Sequence, residues 1–323
     1  MKIFYYSYPW AMHVAGGGER QMMAYRHHLA RYGVEVELFD MWQPVFEPST
    51  IFHCFAVMPG VIELCDFAKR QGMKVVVSPN LWITPETKER YPCHYIQSVF
   101  ELADAIVVNS SMEIRALSGV LGVAESKFHI VYNAAEADFL VPENPLLFTE
   151  RFGIKGPFVL NVANVEPRKN QLEFLEVLRA ERPDLKCIVV GGIRDHDYAQ
   201  ACRDIAGDQL KIIDPLPYAS PFLRSALHGC EFFAMPSLLE TPSIAAIEAA
   251  ASGCKVLLTR EGSTTEYFGD SVTYVTPGSK GKMAEAIREV GRSSSEKSTW
   301  VARNGYMWPK VIPSLLDVYR SQI

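Results

Sequence analysis

Short runs of β-branched and aromatic residues alternate along this chain with longer stretches in which apolar positions recur at helical spacing. The first series of runs is Ile3–Ser7, Val34–Phe39, Ile51–Cys54, Val75–Ser78, Ala105–Asn109 and Phe128–Tyr132. A second series is Phe158–Val162, Cys187–Val190, Lys211–Ile213, Phe232–Met235, Val256–Thr259 and Val272–Val275. Their apolar residues are mostly continuous rather than alternating. Strands buried on both faces look like this, as in a parallel sheet covered by helices. Gly16-Gly17-Gly18 reads as a turn, Glu19–Tyr32 as a helix, and Gly33 as the left-handed residue that ends it. Between the two series, Val141-Pro142-Glu143-Asn144-Pro145 and then Gly153–Pro157 break the rhythm and read as a linker. The pattern therefore predicts an α/β protein of two Rossmann-like, doubly wound domains. Thr299–Ile323 closes the chain and reads as a helix pair interrupted at Pro309.

Length agrees with two cores, because 323 residues exceed what one core of about 250–300 residues usually holds. Net charge is −5, which lacks the basic surplus of a nucleic-acid binder, so no nucleic-acid partner is expected. The seven cysteines form no CxxC pair and no zinc spacing, and they read as reduced thiols. The N-terminal apolar stretch is too short for a signal peptide, and no run approaches the roughly 18 apolar residues of a spanning helix. The expectation is a cytoplasmic protein, with peripheral contact at the inner face of the membrane left open.

Candidate chemistry lies at three strand-to-helix turns. In Pro236–Gly253, Thr241 is placed to cap a helix and Pro242 to open it, with Gly253 at its end. A helix N-terminus after a strand is a natural diphosphate site. Glu240 stands just before it, and Glu248 lies within an Ala-rich run where a carboxylate requires donors such as ribose hydroxyls. Glu-x7-Glu spacing alone is unspecific: Glu173 and Glu181 share it within an ordinary amphipathic stretch, so a charged surface helix is the competing reading. In Asn161–Gln171, the adjacent cations Arg168 and Lys169 suit a phosphate, against an exposed basic turn. The Gly16–Gly18 run lets a backbone approach a ligand, but it is not GxGxxG and makes a poor nicotinamide fingerprint. His13 beside Trp10 is a candidate substrate contact. Arg20, Arg26, His27, His28 and Arg31 read as a solvated helix face, with anionic lipid as the alternative.

Five stretches in this order resemble the GT-B glycosyltransferases, in the large retaining family 4: Gly16–Arg20, Ala103–Ser110, Tyr132–Glu136, Glu166–Asn170 and Pro236–Gly253. The resemblance spans nearly the whole chain. It implies two domains facing a cleft: residues 1–145 on the acceptor side, joined by a final crossing helix at about 304–323, and residues 146–303 binding the donor. It implies a hexose moved from a UDP- or GDP-linked sugar to a glycan, lipid-linked or small-molecule acceptor, with retention and with neither metal nor cofactor. By similarity Glu248 holds the donor ribose, Lys169 neutralises the diphosphate with Arg168 beside it, and Glu240 contacts the transferred sugar. Thr241 and the amides around Ser243 and Ile244 join the donor site, as do Asn164 and the Gly16, Gly17 and Gly18 loop. Two positions depart from the family pattern. Ser78-Pro79-Asn80-Leu81-Trp82 has no His where members commonly carry one, leaving Asn80 and Trp82 as sugar or acceptor contacts. Asn164 stands where many members have Arg, with Arg168 as a substitute. These departures keep open a catalytically silent protein that binds a nucleotide sugar or partners an active transferase.

Overall fold

A computed structural model describes residues 1–13 and 16–323. The chain forms two compact units, Met1–Asn133 with Trp308–Ile323, and Ala134–Met307.

In the first unit, six strands lie parallel in the order β2-β1-β3-β4-β5-β6. They are β1 (Lys2–Tyr6), β2 (Glu35–Leu38), β3 (Ile51–Cys54), β4 (Lys74–Val77), β5 (Ala105–Val108) and β6 (Phe128–Ile130). All four residues of β3 and of β5 are buried, which is why their sequences show no polar alternation. Gly17 and Gly18 are not a turn. They open the helix Gly17–Leu29, with Gly16 as its cap. The Glu19 carboxylate makes this start possible, accepting from Gly16 N at 2.7 Å and from the Tyr8 hydroxyl at 2.9 Å. His28 also departs from the solvated-face reading: it is buried, its ring 6.1 Å from that of Trp308.

Trp308 begins the last helix, Trp308–Arg320. The break expected at Pro309 falls instead at Tyr306–Met307, and Pro309 sits in the first turn, where its missing N–H has no helical partner to lose. This helix is tied to the sheet by a buried polar chain. The Tyr5 and Tyr319 hydroxyls are 2.9 Å apart, Tyr319 Oη lies 2.6 Å from His53 Nδ1, and His53 Nε2 lies 2.8 Å from Ser78 Oγ. Both ring nitrogens are thus satisfied without a charge, and burial pushes the His53 pKa down to about 3.

The second unit holds β7 (Phe158–Val162), β8 (Lys186–Val190), β9 (Leu210–Ile213), β10 (Phe232–Met235), β11 (Val256–Thr259) and β12 (Thr273–Val275). They are parallel, in the order β12-β11-β10-β7-β8-β9. Residues 134–145, expected with the first domain, pack here. Ala135 N donates to Tyr306 O at 2.9 Å, buried Phe139 lies 5.7 Å from the Tyr218 ring, and Glu143 pairs with Arg224 at 2.9 Å. The proline-rich stretch is thus anchored, and the passage between units comes before it. No helix among the described residues is long and apolar enough to cross a membrane.

Candidate functional site

Strand order in the second sheet reverses between β7 and β10, and in open α/β sheets ligands bind at the carboxyl ends of strands at such a switch point. The loops that leave those two strands carry the sequence's candidate residues. After β7, Pro167–Lys169 forms a short 3-10 turn, and Asn170, at φ 54°, leads into the helix Gln171–Glu181. After β10, the chain runs through Glu240 to the helix Ile244–Ser252. Leu238 N donates to Arg168 O at 2.9 Å, which joins the two loops directly.

Lys169 and Glu240 meet in a buried ion pair, with Nζ 2.6 Å from Oε1. Burial raises the Glu240 pKa, but the Coulombic pull of Lys169 and its hydrogen bond, with Arg168 at 4.0 Å, outweigh it and hold the carboxyl below its ordinary value. The charges continue outward. Arg168 Nη2 lies 3.0 Å from Glu166 Oε1, and Arg194 Nη1 lies 3.8 Å from Glu166 Oε2. Three cations and two carboxylates therefore alternate along the mouth of the switch point. With its amide oxygen turned toward Arg194, Asn164 accepts from Nε at 2.9 Å and from Nη2 at 3.2 Å.

Two glycines are indispensable to this geometry. A Cβ on Gly191 would lie 2.0 Å from Ala163 O, so only glycine lets the loop after β8 press against the loop after β7. Gly262 has φ +98°, and its Cβ would lie 2.1 Å from Glu240 O. Around it, Glu240 N donates to Glu261 O at 3.1 Å and Ser263 N to Glu240 O at 3.0 Å, which fixes the Glu240 backbone. Gly262→Ala combines a clash with a left-handed backbone. It should cost about 2 kcal/mol or more and lower the midpoint in a calorimetric scan; an unchanged midpoint would show that the Glu240 loop is not so constrained.

Thr241 does not cap the helix. The cap is Ser243, whose hydroxyl accepts from Ala246 N at 3.3 Å, and Ile244 is the first helical residue. Pro242 therefore stays outside the helix, and Thr241 is half-buried in the loop. Gly253 ends the helix at φ 95°, as its position suggests. Glu248, 2% exposed, is the fifth residue of this almost wholly buried helix.

The remaining candidates lie in the first unit. His13 is exposed at the end of the turn Ala11–His13, next to residues 14 and 15, which are outside the described part. Gly18 and Asn80 are brought together: a Cβ on Gly18 would come within 3.0 Å of Asn80 Nδ2. Asn80 has φ 50°, its Oδ1 accepts from Asn109 Nδ2 at 3.4 Å, and its buried Nδ2 finds no partner among the described residues. Trp82 follows it, half-buried.

Residues 148–308 match the family model of glycosyl transferases group 1. The fold of the entire chain matches that of Anabaena HepE, a structure solved in complex with UDP, with a TM-score of 0.80 over 99% of this chain and 100% of that one, at 15% identity. The chain has the fold of the GT-B glycosyltransferases, and about half of it matches the glycosyl transferases group 1 family. Among curated relatives, the D-inositol 3-phosphate glycosyltransferase of Mycobacteroides abscessus is 28% identical over 69% of this chain and 53% of its own length. The Campylobacter jejuni N-acetylgalactosamine-N,N'-diacetylbacillosaminyl-diphospho-undecaprenol 4-alpha-N-acetylgalactosaminyltransferase is 25% identical over 54% of this chain and 47% of its own. The chain thus spans about half the length of these two relatives. The member of this charged cluster that the sequence reading does not single out is Arg194. Its only signal is a glycine pair, Gly191-Gly192, directly after a strand.

Proposed function

We propose that this protein is a glycosyltransferase that moves a hexose from a nucleoside-diphosphate sugar to a glycan, lipid-linked or small-molecule acceptor, with retention and without a metal. The observation that carries the proposal is the buried Lys169–Glu240 pair at the switch point of the second sheet, beside the helix capped by Ser243. A diphosphate brought there meets the ammonium of Lys169 and the guanidinium of Arg168, and the amides that open the helix at Ile244 add partial positive charge. Charge builds on the departing diphosphate as its bond to the sugar breaks, so these donors stabilise the transition state more than the bound substrate. Thr241 and Ser243 line the same turn. Glu248 receives the ribose hydroxyls, Glu240 those of the transferred sugar, and Asn164 joins the donor site through its loop. Within the first unit, the proposal keeps Gly16, Gly17 and Gly18 as backbone that a ligand can approach, and Asn80, Trp82 and His13 as sugar or acceptor contacts. The UDP in the HepE structure makes uridine the first base to test. The diphospho-undecaprenol named for the Campylobacter relative supports a lipid-linked acceptor, and with it work at the cytoplasmic face of a membrane.

A thermal-shift panel of UDP, GDP, ADP and their sugar conjugates, without added metal, tests the donor site. A ligand at 100 times its Kd should add about 2.7 kcal/mol of stability. Glu248→Ala should abolish the shift for the responsive base, whereas Glu240→Ala should chiefly slow transfer. Equal binding losses in the two variants would remove the separate roles. A second reading, a silent nucleotide-sugar binder, is favoured by Asn80, an amide that cannot exchange a proton as His does. Donor turnover that disappears in Lys169→Ala would exclude it.

A further inference from the structure

We infer that Arg194 is a third phosphate-binding cation of the donor site, beside Lys169 and Arg168, carried on the loop after β8 and aimed by Asn164 and Glu166. The inference rests on the donor reading above and names a residue that reading does not contain. Four observations within the second unit support it.

First, the backbone sets Arg194 in place. Val165 N donates to Gly192 O at 2.9 Å and Arg194 N to Val165 O at 3.1 Å, so the loop after β8 is stitched to the loop that leads to Lys169. The contact of Gly191 with Ala163 O leaves room for nothing larger than glycine, which brings the two loops as close as backbones can come. Second, the guanidinium is oriented on two sides. Asn164 holds Nε and Nη2, and Glu166 lies 3.8 Å from Nη1. Asn164 is neutral, so it aims the cation without cancelling it. Third, Glu166 is shared with Arg168, so a single carboxylate positions two guanidinium groups and the cluster keeps a net positive charge. Fourth, accessibility separates the cations. Lys169 is 11% exposed at its side chain and committed to Glu240, whereas Arg194 is 40% exposed. A guanidinium has five N–H donors in a rigid fork that suits phosphate oxygens. Arg194 can therefore turn donors toward an arriving anion while Asn164 keeps its hold.

This arrangement also accounts for Asn164 itself. A cation at position 164 would face the Arg194 guanidinium, whereas an amide oxygen there accepts from it.

The experiment compares the full-length protein with Arg194→Ala and Arg194→Lys, using calorimetric titration of UDP, UMP, GDP and GMP at low salt. Arg194→Ala should weaken the preferred nucleoside diphosphate at least tenfold and its monophosphate less than threefold, which collapses the preference for the diphosphate. Arg194→Lys should recover part of that preference, since charge is kept and the bidentate fork lost. A purely structural role would weaken both nucleotides equally, and equal losses overturn the inference. So does a diphosphate affinity within twofold of wild type in Arg194→Ala. Failure of the wild-type protein to bind any of the four nucleotides is a different result: it removes the donor reading, and this inference falls with it.

Discussion

Lys169→Ala should destabilise the second unit by about 3–5 kcal/mol and remove nucleotide binding together. Loss of one partner leaves the Glu240 carboxylate buried without its counter-ion, and breaking a buried pair from one side costs this much in other proteins. Replacing both partners, as in Lys169→Met with Glu240→Gln, removes the stranded charge and should recover most of the stability without recovering transfer. Denaturant unfolding of the two variants, beside an assay of donor turnover, separates the energetic role of the pair from its chemical one. If the single variant lost less than 1 kcal/mol, water would have to reach Glu240 more readily than its burial implies. The same pair sets an acid limit. Because the folded Glu240 carboxyl is held below its ordinary 4.5, its stabilisation is complete above that pH and is lost as the pH falls through the lower, folded value.

His53 should dominate a different pH window. Unfolded, its imidazole takes up a proton near its ordinary 6.5; folded, it stays neutral down to about pH 3. Its folded pKa is depressed, so the contribution is complete above 6.5 and drains away as the medium is acidified. The limiting slope is about 1.4 kcal/mol for each pH unit. Tyr319 and Ser78 meet this ring with hydroxyls, Tyr5 joins the chain through the Tyr319 hydroxyl, and none of them supplies a negative charge that would hold the proton. His129, lowered by burial as well, adds to the same window. His53→Gln keeps a donor and an acceptor but does not titrate. It should lower stability at pH 8 and flatten its decline between 6.5 and 4.5. Urea unfolding at a series of pH values checks this, and an unaltered slope in the variant would exclude His53 as the source. The consequence reaches the C-terminal helix, since Tyr319 belongs to it and is held by this ring.

How much of the protein could be read beforehand differs between elements and site. Continuous runs such as Ile51–Cys54 and Val256–Thr259 are strands with the same bounds in the structure, because a doubly covered strand leaves a local, uninterrupted signal. Helix starts were less legible. Thr241 and Ser243 are both acceptable caps with Pro242 between them, and the choice of Ser243 depends on the Glu240 backbone being pinned to residues 261–263, distant in sequence. Gly17 and Gly18 have poor helix propensity, yet they begin a helix because Glu19 binds the Gly16 amide and Tyr8.

The sequence by itself determined two parallel α/β units and the strand-to-helix turns that carry Lys169 and Glu240, since each follows from patterning over a dozen residues; it left the helix with Glu248 between a buried and a charged-surface reading, and the structure buries it. Only the tertiary structure decided that Lys169 and Glu240 are a buried pair, that Asn164 holds Arg194, and that His53 is sealed between Tyr319 and Ser78. Those contacts join residues 25 to 266 positions apart, through strand order and glycine-permitted loop approaches, and no local period encodes which loops will meet.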